Sequence, residues 1–165
     1  MKYLTLGKAE RQALMSELAS MPDHLAHVFE GVSARAAAEP GPAGTFGPVE
    51  QCWHLADLER EGFGARIRRL LNEVEPQLPD FDGAAVARER DYRSRSLAEG
   101  LAAFRAARSE NLAALQAVRA EAWTRGGTQD GVGPVALCDI PAMMAEHDAA
   151  HRSEIEAWLK TRREA

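Results

Sequence analysis

The sequence predicts an all-α fold, a four-helix bundle, on three observations. Hydrophobic periodicity near 3.6 residues recurs in four segments of the chain. Strand signals are almost absent, because β-branched residues are scattered and no alternating run survives four residues. A long link at residues 75–95 separates the second segment from the third, whereas the other links are shorter. A link of that length permits a crossover between parallel neighbours, unlike a simple up-down-up-down bundle.

Each helix follows from its apolar stripe. The first, at about 6–34, carries Leu14, Leu18, Met21, Leu25, Phe29 and Val32, with a kink or short break expected where Ser20, Pro22 and Asp23 resemble a fresh helix start. The second, at about 48–74, follows the Pro/Gly-rich EPGPAGTFGP, opens on Pro48, and faces Val49, Trp53, Ala56, Phe63, Ile67, Leu70 and Val74 one way. The third, at about 96–122, uses Leu97, Leu101, Phe104, Ala107, Leu112, Leu115 and Val118, and Gly126-Gly127 closes the region after it. The fourth spans about 136–162, with Pro141 tolerable only in its first turns.

Composition narrows the class. With 165 residues, 45% hydrophobic and 27% charged, one domain over residues 1–165 with a sizeable core is expected. The net charge is −5 and the arginines are mixed with glutamates, so nucleic acid is not an expected partner. The cluster Arg66, Arg68 and Arg69 reads as a solvated helix face paired with Glu61, Glu73 and Glu75 rather than as a phosphate contact. No apolar run is long enough for a membrane span, no secretory signal pattern opens the chain, and a cytoplasmic protein is expected. Cys52 and Cys138 lack CxxC spacing and are expected as reduced thiols.

The chemistry gathers on histidines. His147 and His151 lie four apart and share the stripe of Ile140, Met143, Met144, Ile155 and Trp158. Two imidazoles on adjacent turns suit a small divalent ion; a pair bonded to backbone or to each other suits the same spacing. His54 is the third candidate, yet it lies about 140° from the stripe of the second helix at roughly 100° per residue. Leu58 and Ala65 extend its side, so periodicity leaves it undecided between ligand and half-exposed residue. Glu154, three residues after His151, fits a fourth ligand, a residue orienting a ligating imidazole, a general base, or an arginine partner. His24 and His27 read as surface histidines.

These residues carry a resemblance. TFGPVEQCWHLADLERE contains a pattern similar to HLxDxE, and HDAAHRSEI is similar to HDxxHxxQI; PQLPDFD and the run from Phe104 to Leu115 add to it. The chain resembles the DinB-like superfamily of metal-binding four-helix bundles over most of its length. The resemblance implies His54, His147 and His151 as three metal ligands and a long crossover between the second and third helices. Glu154 stands where glutamine is common. The likeness implies a divalent ion, zinc or nickel first and iron or manganese next, and a small-molecule substrate. Family members that use bacillithiol or mycothiol suggest transfer of a low-molecular-weight thiol cosubstrate to an electrophile. Hydrolysis by metal-bound hydroxide, with Glu154 or Asp57 as general base, is the alternative, followed by a non-catalytic metal-binding or interaction module. A homodimer is a further expectation of the likeness, and no membrane partner is expected.

Overall fold

Four long helices emerge from local signals, and the computed structural model describes them within residues 2–163. α1 runs Lys8–Val28 and starts where the Gly7 N–H donates to Glu10 Oε2 at 2.7 Å. It is shorter than the expected 6–34, since Lys2–Thr5 and Ala34–Ala37 form separate turns, the latter capped by Ser33. Pro22 does not break it. Its missing N–H leaves the Leu18 carbonyl without the usual helical donor, and Arg108 Nη1 donates to that oxygen at 2.8 Å.

α2 begins as Pro48–Asp57, passes through a π-helical stretch Leu58–Phe63, and continues as Gly64–Asn72. Val74, assigned to its stripe by periodicity, lies beyond the helix and is 89% exposed. β1, Gln77–Leu78, follows in the link, then a short helix Gly83–Glu89 capped by Asp82. α3 spans Leu97–Gln116 with Ser96 as its cap, ending about six residues before the expected boundary. α4 spans Ile140–Arg163, with Pro141 in its first turn, where a missing N–H costs no helical bond.

The expectation of no strands is corrected. β2, Gly126–Gln129, and β3, Gly133–Ala136, pair antiparallel, and β1 joins β2 in parallel. These strands are too short and glycine-rich to show alternation. Gly127 has a packing reason: a Cβ there would overlap the Pro76 carbonyl, so glycine lets the link approach β2.

Residue pairings give the directions of the helices. Trp53 Nε1 donates to the Ser96 carbonyl, Glu59 meets Arg108, and a Cβ on Gly64 would meet Asn111, so α2 and α3 run parallel. Leu18 meets Arg108 and Asp23 meets Arg105, making α1 antiparallel to α3. Ser20 pairs with Arg152 and Phe29 with Trp158, which sets α1 parallel to α4. The bundle is therefore up-down-down-up, and residues 73–96 cross over between α2 and α3. One apolar cluster holds Leu18, Phe63, Ile67, Leu115 and Met144; a second holds Met21, Leu25, Phe104, Ile155 and Trp158. Among the described residues no helix is long and apolar enough to cross a membrane.

Candidate metal centre

α2 and α4 bring three imidazoles together. Nε2 of His147 lies 3.3 Å from Nε2 of His54 and 3.1 Å from Nε2 of His151. The potential ligand atoms of all three fall within 4.8 Å of one another. Nitrogens about 2.0–2.1 Å from one tetrahedral ion stand roughly 3.3 Å apart, so the spacing fits a shared divalent cation. Burial drives the pKa values of His54 and His147 down to about 3, with His151 adding repulsion to both and His54 to His147. Both rings are therefore neutral at physiological pH, the form a metal requires.

Gln51 sets the tautomer of His151. Its amide nitrogen donates to Glu154 Oε2 at 2.7 Å and to the Phe46 carbonyl at 3.3 Å. Its oxygen must therefore accept from His151 Nδ1, 2.6 Å away, which leaves the Nε2 lone pair facing the other rings. Glu154 sits behind this pair, 3.3 Å from His151 Nδ1; those contacts hold its carboxyl below the usual range. His54 is held differently. Its Nδ1 is buried without a hydrogen-bond partner, and its ring is enclosed by Phe46, Phe81 and Gly83. A Cβ on Gly83 would overlap that ring and come 2.6 Å from Nδ1.

The wheel placed His54 off the stripe because the stripe combined Val49 and Trp53 with Phe63 and Ile67 across the π-helical turn, which adds a residue and rotates the rest of the helix. α2 is also buried on nearly every side before that turn, so no face marks the core. Asp57, the other candidate base, is fully buried and committed elsewhere. Its carboxylate accepts from Tyr92 at 2.7 Å, from Arg90 at 2.6 Å, and from Arg60. Burial opposes its ionisation, yet these donors hold its pKa below the usual value.

A pocket of about 310 Å³ opens beside the rings, lined by His54, Leu58, Phe63, Arg66, Phe81, Met143, Glu146 and His147. Glu146, not singled out by sequence, is the carboxylate on this wall. Arg66 corrects the solvated-face reading: it is 4% exposed, whereas Arg69 does pair with Glu73 at the surface. His24 and His27 lie on α1 outside the cluster; His24 is half-buried rather than at the surface. Cys52 and Cys138 are free and buried.

A profile of the DinB superfamily matches residues 11–155. The chain belongs to the DinB superfamily. Among solved structures, this DinB-superfamily chain is similar to YfiT from Bacillus subtilis, described as a probable metal-dependent hydrolase with an unusual four-helix bundle topology. The two share 18% identity with a TM-score of 0.84, over 97% of this chain and 90% of that one. That likeness establishes the shared fold. Comparison with curated proteins found no match.

Proposed function

We propose that the chain is a metal-dependent hydrolase of small molecules, with one divalent ion held by Nε2 of His54, His147 and His151. The observation that carries this reading is the convergence of three imidazoles at the wall of an open pocket. The description of YfiT as a probable metal-dependent hydrolase supports it. A nitrogen-only donor set favours zinc or nickel over hard cations such as magnesium. Bound there, the ion supplies Lewis acidity, polarising a substrate oxygen and lowering the pKa of water.

The chain's own residues supply the rest. Gln51 orients His151, with Glu154 behind it as a positioning residue. Leu58, Phe63, Phe81 and Met143 give the substrate an apolar wall beside the histidines. Glu146 takes the proton from attacking water and returns it to the leaving group. The pocket lies near the lower end of the roughly 300–1,000 Å³ usual for ligand sites. The pocket has room for a small substrate and water, and the description of YfiT as a probable metal-dependent hydrolase ranks hydrolysis ahead of thiol transfer.

The test is elemental analysis of zinc-loaded protein purified without a metal-binding tag. Wild type and His24→Ala are expected to retain about one ion per chain, and a His54/His147/His151 triple-alanine variant to lose it while staying helical. Small esters and amides are then expected to turn over, with Glu146→Gln slower by about 100-fold or more. Equal, low metal content in all three proteins overturns the reading.

A further inference from the structure

Two arginines are buried among the described residues, Arg66 and Arg108. Arg108 is fully paired, meeting both Glu59 and Asp148. Arg66 is not. Its Nε donates to the Pro79 carbonyl at 3.0 Å, and its guanidinium carbon stands 5.4 Å from the centre of the Phe63 ring. No carboxylate among the described residues pairs with it, and its terminal nitrogens have no hydrogen-bond partner there. Asp80 acts on it only through space, and burial pushes its pKa down.

Its terminal nitrogens are not among the buried, unpartnered polar atoms and so reach the pocket, where a planar fork with free donors matches a carboxylate's two oxygens. Arg66 is also where such a ligand would arrive. It lines the same pocket as His54 and His147, between apolar walls made by Leu58, Phe63, Phe81 and Met143. The bond to Pro79 and the stacking on Phe63 hold its position, so few degrees of freedom are lost on binding. Glu146 stands on the exposed rim of the pocket.

We propose that Arg66 is the specificity-determining residue of this pocket and that the substrate is a small carboxylate with an apolar body. Its carboxylate pairs with Arg66 while its reacting bond lies against the three histidines. This rests on the hydrolase reading for the second contact but not for the first. A substrate without the negative charge leaves Arg66 desolvated and unpaired, so neutral analogues are rejected.

The experiment is calorimetric titration of zinc-loaded protein with benzoate, benzamide and inorganic phosphate. Wild type is expected to bind benzoate at least tenfold more tightly than either other probe. Arg66→Met, with zinc content and helical circular dichroism unchanged, is expected to lose that preference, and Arg66→Lys to recover part of it. The triple-alanine histidine variant separates the two sources of anion affinity. Benzoate preference that survives there and vanishes in Arg66→Met supports Arg66 even if the hydrolase reading fails. Preference that vanishes with the histidines and survives in Arg66→Met means that a metal reads the anion, and overturns the proposal. Stronger binding of phosphate than of benzoate overturns the carboxylate class.

Discussion

Gln51 has no free choice of partners: its amide nitrogen serves Glu154 and the Phe46 carbonyl, so its oxygen is left for His151 Nδ1. Gln51→Leu therefore frees the imidazole to rotate and change tautomer. Zinc affinity by chelator competition is expected to fall about 10–100-fold with the fold intact; unchanged affinity would show that ring packing alone orients His151. Asp57 works in the opposite direction, as scaffold. Its carboxylate joins α2 to Tyr92 and Arg90 of the crossover link, and its pKa lies below the unfolded value near 3.9. Its stabilising contribution is present above that value and lost as pH falls through the lower folded value. Asp57→Asn is expected to destabilise by about 1–3 kcal/mol at pH 7. In urea unfolding the deficit should shrink as pH drops below about 4; a constant deficit would mean the charge does not contribute.

The π-helical turn of α2 and the proline of α1 are the elements in which local pattern and structure part company. Leu58–Phe63 inserts a residue between the part of α2 carrying His54 and the part carrying Ile67 and Leu70. Glu59, inside the turn, accepts from Asn111 through both its carbonyl and its side chain, so α3 holds the turn from outside. Deleting the half-exposed Arg60 should convert the turn to regular α-helix and rotate one part against the other by about 100°. Far-UV circular dichroism is expected to stay helical while stoichiometric zinc binding is lost; retained zinc would show that the register of α2 does not set the site. Pro22 is a milder case. A proline within a helix costs about 3 kcal/mol against alanine, yet here Arg108 already serves the freed Leu18 carbonyl. Pro22→Ala is accordingly expected to raise stability by less than about 1 kcal/mol in urea unfolding, and a gain near 3 would mean that Arg108 offsets nothing. Periodicity read both helices as segments because packed leucines and phenylalanines dominate the pattern. It missed the π turn because an inserted residue changes phase without changing composition.

Across the whole molecule, Arg108 connects every long helix. From α3 it forms paired bonds with Glu59 of α2 and Asp148 of α4 and reaches the Leu18 carbonyl of α1, all within 3.1 Å. Arg108→Met leaves two carboxylates buried without their cation, and a loss of about 3–5 kcal/mol is expected. Adding Glu59→Gln and Asp148→Asn should restore much of the urea midpoint; no recovery would place the loss in packing rather than charge. The crossover link gives the bundle its other global property. By passing between parallel α2 and α3 it carries Phe81 and Gly83 onto His54 and the Pro79 carbonyl onto Arg66. The sequence by itself determined the four apolar stripes, the long link, and the paired histidines of α4, because these are local periodicities and spacings. For His54 periodicity left the question open and the family resemblance alone pointed to the site; only the tertiary structure decided that Arg66 is buried instead of solvated and that Gln51 and Glu154 stand behind His151. Those outcomes depend on which surfaces the link and neighbouring helices remove from water, and burial of a polar side chain is a property of what surrounds it.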